Sequence, residues 1–507
     1  MVAGALAELW LSSGAALVPE CCWKDSEPPS LCQRVGLAGT VHDIAAAPRG
    51  KRPVLSYGQQ HIWLMEQIRP GTAVHTRLFA YRIQGDLDVP ALRRAVHTLV
   101  QRHETFRTRY PTFEGKPYQL VDPGAPRLRV DDLSKRDDPL RTAAEWVAAE
   151  ARDCFDLAAG PLFRARLLRA GPLDHVLVLT FHRSVFDARS LAICMAELSA
   201  AYALLRRGMR PTSGGLPVQY ADFAAWQRDR LSAGRLAGQL AYWRRQLAHA
   251  PETVTLPADR PRPERPTFSG GAVSFPIDGD TVRGLRQLVN TSGSSPRVVT
   301  LAAFQALLAK HSGATDLIVG VPVAGRNRQE LQGIIGNFVN LVPVRVRLAG
   351  DPTFAELVGQ VRETVQDGMD NCDLAFEQIV EEVAPARQLG RNPVLGTSFS
   401  YLDSDGETVP GELSLPGLTI AEFPTGAFSV QHDLEVQIMA EGGALTGTIC
   451  YQRDMFDEIT MSSFAGHYAD LLRAVTRDSS LRLSRLPLVT DQETAMIAGW
   501  NDESEHV

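Results

Sequence analysis

The sequence has few cysteines, and their spacing excludes the two structural uses that cysteine most often has. There are seven in 507 residues, and no two of them form a CxxC pair. Cys21 and Cys22 are adjacent, whereas the other cysteines stand alone in the chain. A zinc site needs paired ligands at short spacing, and a disulfide framework needs a dense cysteine pattern. We therefore expect free thiols, a reducing compartment and no bound metal.

The chain also lacks an excess of basic residues and any long apolar run. Its formal net charge is −6 at pH 7, which disfavours nucleic acid as a partner because phosphate binding requires a clustered basic surface. The apolar N-terminus has no basic segment and contains Glu8, so it does not fit a signal peptide. No other run approaches the ~20 apolar residues of a membrane span. These absences predict a soluble, cytoplasmic protein that binds neither nucleic acid nor membrane.

A proline-rich stretch near the middle divides the sequence into two parts of similar size. Residues 256–271 (LPADRPRPERPTFSGG) contain four prolines, and proline favours an extended, stiff linker because it fixes φ. Residues 1–50 show no sustained period, which predicts an N-terminal tail or docking segment. We expect a first domain over 51–255, this linker, a second domain over 272–490 and a C-terminal linker over 491–507.

The clearest local pattern is a strand followed by a corner and a long helix. Residues 175–182 (HVLVLTFH) are a β-rich apolar run, which predicts a central strand buried on both faces. Residues 190–208 (SLAICMAELSAAYALLRRG) predict a helix that begins at Ser190. The residues between them then lie at a strand-to-helix corner, where side chains converge on a cleft. Helix and strand patterns alternate on both sides of the linker, so we expect an α/β fold.

Seven short segments are informative as an ordered set. They are LSYGQQHIWLME (55–66), RHETFRTRY (102–110), FHRSVFDARS (181–190), QYADFAAWQRD (219–229), IIGNFVNLVPVR (334–345), NCDLAFEQIV (371–380) and RNPVL (391–395). Taken in order over residues 54–480, they resemble the motifs of the nonribosomal peptide synthetase condensation domain. The third segment occupies the place of that family's active-site motif, HHxxxDGxS.

The resemblance implies a specific architecture and a specific set of partners. It implies two subdomains similar to chloramphenicol acetyltransferase, arranged as a V-shaped pseudo-dimer with a central tunnel. Peptidyl or acyl carrier proteins are the implied partners, and their phosphopantetheine arms would enter the tunnel, while the domain itself binds no cofactor. In the family an amine attacks a thioester there to form an amide. The stretch after Pro487 resembles the segment that leads into an adenylation domain, so such a domain is a further implied neighbour.

The active-site motif departs from the family pattern at the residue that matters most for chemistry. His182 matches the first histidine, which is mainly structural in the family. Arg183 matches the second histidine, which assists the attacking amine. A histidine with a pKa of about 6.5 can accept a proton at neutral pH, whereas a guanidinium stays charged up to about pH 12. Arg183 can therefore stabilise an oxyanion by donating hydrogen bonds, but it cannot act as a general base.

The residues around this position are a mixture of retained and changed ones. Asp187 matches the motif aspartate, which forms a structural ion pair in the family, and Arg326 is its expected partner. Ala188 replaces the glycine, so its methyl group is expected to narrow the tunnel or strain the corner. Arg189 adds a second cation, and Ser190 is expected to cap the following helix. The remaining positions expected to be structural or to line the tunnel are Asn337 and Asn340 of the fifth segment.

Several functions remain open for such a motif. The prediction is an atypical condensation domain that binds carrier-tethered substrates and whose amide-forming activity is lost or altered. An active enzyme that forms an amide or ester by positioning and oxyanion stabilisation is the first alternative. The second is a recruiter of tailoring oxygenases, as in X-domains, whose HRxxxDD motif this sequence matches except at Ala188. Heterocyclisation domains, epimerisation domains and coenzyme A acyltransferases fit less well, because their motifs contain other residues or also require the second histidine.

Overall fold

Two β-sheets, one in each half of the chain, organise the fold. The structure, a computed structural model, describes residues 44–47, 52–124, 126–211, 214–251, 256–383, 394–403, 413–426, 428–488 and 493. The strands are β1 Thr76–Gln84, β2 Thr108–Arg109, β3 Thr112–Phe113, β4 Lys116–Pro117, β5 Leu120–Val121, β6 Arg129–Asp132, β7 Phe163–Gly171, β8 Asp174–His182, β9 Gly270–Ile277, β10 Asp316–Val323, β11 Asn340–Arg347, β12 Thr397–Asp403, β13 Thr419–Glu422, β14 Leu434–Glu441 and β15 Ala444–Gln452. The helices are α1 Tyr57–Ile68, α2 Val89–Arg102, α3 Pro139–Glu150, α4 Ala188–Arg206, α5 Tyr220–Ser232, α6 Ala237–Gln246, α7 Gly279–Ser292, α8 Pro296–Ser312, α9 Phe354–Asp370, α10 Phe376–Val383 and α11 Glu458–Arg477.

β8 is the central strand of the first sheet, whose order is β13-β1-β8-β7-β6. It pairs antiparallel with β1 and β7, and all of its residues after Asp174 are buried. Leu177 and Leu179 lie in the core cluster that contains residues of α2 and α4, whereas Val176 and Val178 lie in a second cluster with residues of α3. The prediction of a central strand buried on both faces is therefore confirmed, because an apolar layer covers each face.

α4, the helix after the corner, is a core helix of the first half. By length and composition alone it could cross a membrane, and it is the one such helix in the part of the chain that the structure describes. In the fold it contacts α2. Its apolar side is buried and includes Leu191, Cys194, Leu198 and Tyr202. Its predicted start at Ser190 is wrong by two residues, because the helix begins at Ala188.

The second sheet has the order β11-β10-β12-β14-β15-β9. β12 runs parallel to both of its neighbours, β10 and β14, and the other pairs are antiparallel. The helix α8 is buried along its length, from Val298 to Leu308, and its residues belong to the large core of this half. A helix that is apolar on all sides is stable only inside such a core.

The two halves are joined by more than the linker. β13 comes from the second half of the chain but pairs with β1 at the edge of the first sheet, from Tyr81 opposite Glu422 to Gln84 opposite Thr419. A segment of the predicted second domain therefore completes the sheet of the first. The boundaries given above for the two domains stay predictions.

The strand β9 begins at the C-terminal end of the predicted linker. Gly270 and Gly271 belong to β9 and pair with β15, and a Cβ atom on Gly271 would lie 2.3 Å from the Tyr451 side chain. The absence of a side chain at these two glycines therefore leaves room for an aromatic ring to pack directly against the strand. Earlier in the linker, Arg260 pairs with Asp457 at 2.8 Å, so this part of the segment is held against the second half.

Candidate functional site

The strand-to-helix corner is shaped by Asp187. β8 ends at His182, a 3-10 turn covers Arg183–Val185, and the backbone of Asp187 is extended. The Asp187 Oδ1 atom accepts hydrogen bonds from the Ser190 backbone N at 2.7 Å and from the Ser190 Oγ at 2.6 Å. Asp187, rather than Ser190 as expected, is therefore the N-cap of α4, because its carboxylate satisfies an orphan N–H of the first turn.

Arg326 from the second half lies against Asp187. Its Nη1 atom is 2.7 Å from Asp187 Oδ2 and its Nη2 atom is 2.8 Å from Oδ1. The two side chains are only 2% and 1% exposed. Phe338 adds a backbone N–H to Asp187 Oδ2 at 2.9 Å, and Ser190 Oγ accepts from Arg326 at 3.1 Å. A buried, bidentate pair of this kind holds the corner against the second half of the molecule.

His182 is buried and faces away from open solvent. Its Nδ1 atom lies 2.6 Å from the Ser184 Oγ, and its ring makes edge contacts with the rings of His75 and Phe155 at centroid distances of 5.8 and 5.7 Å. Burial lowers the pKa of His182, so the ring is neutral at pH 7. These contacts suit a structural role for this histidine.

Arg183 connects the two halves of the molecule. It is half-buried, and its Nη1 atom donates a short hydrogen bond to Gln431 Oε1 in the second half. The Gln431 backbone N donates in turn to the buried carboxylate of Glu435 at 2.9 Å. The guanidinium is thus a cation held by an amide from the second half of the chain.

A second arginine lies near Arg183. Burial lowers the pKa of Arg77 to about 10, and the charge of Arg183 contributes to this shift while Glu435 opposes it. The Arg77 Nη1 atom donates to the backbone oxygens of Val74 and Thr76 at 3.0 Å. The motifs gave no sign of Arg77, Gln431 or Glu435, because none of them falls in the seven segments.

The other expected site residues have structural surroundings. Ala188 is the first residue of α4 and is not among the described residues with a positive φ, so the expected strain at this position is wrong. Arg189 follows it in the first turn and is half-buried. The Asn340 Nδ2 atom donates to the backbone oxygens of Cys372 and Leu374 at 2.9 and 2.8 Å, so this side chain fixes the sixth segment.

Several of the sequence segments meet in one buried network behind the corner. The Gln59 Nε2 atom donates to Tyr110 Oη at 2.9 Å and to the Ser184 backbone oxygen at 3.1 Å. Ser56 Oγ lies 2.8 Å from Tyr220 Oη, which donates to the backbone oxygen of Asn337 at 2.5 Å. The first, second, third, fourth and fifth segments are therefore in contact.

Two of the segments on which the resemblance depends fall largely beyond the described residues. Residues 391–393 of the seventh segment lie outside them, and so does nearly all of the stretch after Pro487. The predictions made for residues 1–43 and for most of residues 491–507 also lie outside the described part of the chain.

The fold and the site together define a two-part protein with a buried ion pair at a strand-to-helix corner. The family model of the condensation domain matches residues 51–498, and the chain belongs to this family. It is 36% identical over 468 residues to a linear gramicidin synthase protein of Brevibacillus parabrevis, and the match covers 91% of this chain and 6% of that protein. It is 35% identical over 454 residues to phosphinothricin tripeptide synthetase PhsC of Streptomyces viridochromogenes, a match that covers 89% of this chain and 42% of that protein.

Solved structures give the same family and add a subtype to which the chain is similar. The X-domain from teicoplanin biosynthesis has a TM-score of 0.81 and 30% identity, over 88% of this chain and all of that one. The complex of that X-domain with OxyB has a TM-score of 0.81 and 29% identity, over 89% of this chain and 98% of that one. A four-domain synthetase, holo-AB3403, shares the fold at a TM-score of 0.77 with 21% identity.

The expected fold class is confirmed by these similarities. The chain has two chloramphenicol acetyltransferase-like subdomains in a V-shaped pseudo-dimer, and it is a condensation domain of nonribosomal peptide synthesis. Domains of this family work with carrier proteins that bear phosphopantetheine. The chain spans less than half of the length of the synthetases named above, 6% of one and 42% of the other.

Proposed function

We propose that this condensation domain binds carrier-tethered substrates in a central tunnel and has lost general-base catalysis of amide formation. The observation that supports the proposal is Arg183, which the motif resemblance aligns with the family's second histidine and whose guanidinium is bound to Gln431. A guanidinium has no lone pair to accept a proton at neutral pH. The proposed partners are peptidyl or acyl carrier proteins and an adjoining adenylation domain, in the cytoplasm.

The surrounding framework supports binding rather than decay of the whole site. The pair of Asp187 with Arg326 is buried and bidentate, and Ser190 bridges to the backbone N and O of Gly336 at 3.0 Å each. Three departures thus fall in one motif, at Arg183, Ala188 and Arg189, while the contacts that position the corner remain. A domain kept for docking would need this framework without needing the base.

Recruitment of a tailoring oxygenase is the second candidate. It is supported by the similarity to the teicoplanin X-domain, which extends over nearly the whole chain at 29–30% identity. That domain was solved in complex with OxyB. In this proposal the chain presents a carrier-bound peptide to an oxygenase and carries out no bond formation itself.

Reconstitution with loaded carrier proteins tests the loss of catalysis. The chain is mixed with a donor carrier bearing an aminoacyl thioester and an acceptor carrier bearing an aminoacyl amine, and products are followed by mass spectrometry. We expect amide formation at the uncatalysed rate, because Arg183 cannot accept the proton that the attacking amine must lose. A condensation domain with both histidines, assayed with its own carriers, shows that the method detects turnover.

A rate well above the uncatalysed one would contradict the proposal and favour the active alternative, in which Arg183 stabilises the oxyanion. Recruitment is tested separately by pull-down with the neighbouring carrier proteins and oxygenases. If the chain bound carrier proteins but no oxygenase, the proposal of carrier docking would stand and that of oxygenase recruitment would be rejected. Binding to neither would reject both proposals.

A further inference from the structure

Three side chains that can bind metal ions converge behind Arg183. They come from separate elements: Glu66 from the last turn of α1, His75 from the turn before β1, and His182 from the end of β8. Glu66 Oε1 lies 2.7 Å from His75 Nδ1 and 3.7 Å from His182 Nε2. One ligand atom from each residue lies within 4.8 Å of the other two.

The side chain of His182 points an unused nitrogen into this group. Its Nε2 atom is buried, and no hydrogen-bond partner for it exists among the described residues, since Glu66 at 3.7 Å is too far for a hydrogen bond. Its other nitrogen, Nδ1, is 2.6 Å from Ser184 Oγ. The Ser184 backbone N also donates to Nδ1, at 3.3 Å. With an ion on Nε2, Nδ1 would instead carry the ring proton and donate it to Ser184 Oγ, the anchor that metal-binding histidines use.

Two of the three separations between the ligand atoms, those measured from Glu66, are close to the spacing that a tetrahedral ion requires. With metal–ligand bonds of about 2.0–2.2 Å, the ligand atoms lie roughly 3.3 Å apart. The observed distances from Glu66 of 2.7 and 3.7 Å stand on either side of this value. Small rotations of the side chains would bring all three onto one ion and leave a fourth position for water.

We propose that Glu66, His75 and His182 form a binding site for one transition-metal ion, with Zn²⁺ as the best match. Two imidazoles and one carboxylate favour Zn²⁺ over Mg²⁺ and Ca²⁺, which prefer oxygen ligands. The ion would tie the helix of the first segment to the end of the strand that bears the active-site motif. The expectation of no bound metal is based on cysteine spacing, and a site built from histidine and glutamate lies outside that argument.

Two nearby cations set the affinity of this site. Arg183 follows His182 directly in the chain, and Arg77 stands opposite Phe181 in the pairing of β1 with β8, so both guanidinium charges lie close to the ligands. Their repulsion would weaken the binding of a divalent cation. Replacing Arg183 by glutamine should therefore tighten metal binding, an effect opposite to that of removing a ligand.

The test uses the full chain without a histidine tag, freed of metal by a chelator. Isothermal titration with Zn²⁺ should give one site per chain, and Co²⁺ should give the absorption spectrum of a tetrahedral ion. His75→Ala and Glu66→Gln should each abolish both signals. Ser184→Ala, which removes only the anchor of His182, should weaken binding by about 10–100-fold.

His467→Ala is the matched control, because His467 also lies in a histidine–carboxylate group, with His311 at 3.2 Å and Glu493 at 2.7 Å. This variant should bind Zn²⁺ like the wild type. Any of three results would overturn the proposal. The first is a wild type that binds no Zn²⁺, the second is Zn²⁺ binding by both His75→Ala and Glu66→Gln, and the third is its loss in His467→Ala. Circular dichroism of every variant separates a lost site from a lost fold, and a folded Glu66→Gln protein alone is enough to decide.

Discussion

Replacing Arg326 by methionine is expected to lower the free energy of unfolding by about 3–5 kcal/mol, the cost of leaving a buried charge without its partner. Asp187 would keep the Phe338 and Ser190 hydrogen bonds but would lose both guanidinium contacts at 2.7 and 2.8 Å. Because both side chains are almost completely buried, water cannot replace the lost cation. Urea denaturation followed by circular dichroism measures the change.

A double variant separates the ion pair from the helix cap. Asp187→Asn keeps a capping side chain but removes the charge, so Asp187→Asn with Arg326→Met should be more stable than Arg326→Met alone. Arg141→Met serves as the control, because its ion pair with Glu145 is 75% and 67% exposed and such pairs contribute little. Equal losses for Arg326→Met and Arg141→Met would show that the buried pair does not hold the corner.

The sequence predicts the strand, the corner and the side chains at the corner, since these depend on local patterns and an ordered set of motifs. The apolar run that ends at His182 is buried on both faces as expected. The cap of the helix was assigned to Ser190 because serine is a common N-cap, but Asp187 lies at the boundary and its carboxylate accepts from the Ser190 backbone.

The residues that sequence reasoning missed are brought to the site by strand pairing. β1 and β8 pair so that Thr76 stands opposite His182, and this register places His75 and Arg77 beside the motif. Gln431 reaches Arg183 from a loop that precedes β14, 248 positions later in the chain. No short-range pattern marks such residues, because their proximity depends on register and on the packing of the two halves.

The altered motif also changes how the missed residues can act. In an active domain an imidazole at position 183 would exchange protons with the substrate amine. Here the guanidinium is bound by Gln431 and lies near a second cation, Arg77. This arrangement supplies positive charge and hydrogen-bond donors without a proton acceptor, which favours holding an anionic or polar group over transferring a proton.

Arg183→His together with Ala188→Gly is expected to raise the rate of amide formation in the reconstituted system by roughly 10²–10⁴-fold, the usual contribution of a positioned acid–base group. The new imidazole would stand where the family places its base. The charge of Arg77 would keep it neutral at pH 7, because a nearby cation lowers an imidazole pKa. Product formation by mass spectrometry, under the conditions used for the wild type, measures the gain.

The single variants show which change matters. Since Ala188 lies in the first turn of α4 without a positive φ, we expect Arg183→His alone to give most of the gain and Ala188→Gly alone to give none. Arg183→Gln removes the cation without adding a base and should stay at the wild-type rate. If Arg183→Gln were as fast as Arg183→His, the obstacle would be the charge or bulk of the guanidinium. If the double variant bound carrier proteins but formed no amide, residues outside the motif would be responsible for the lack of activity. The missing base would then not be a sufficient explanation.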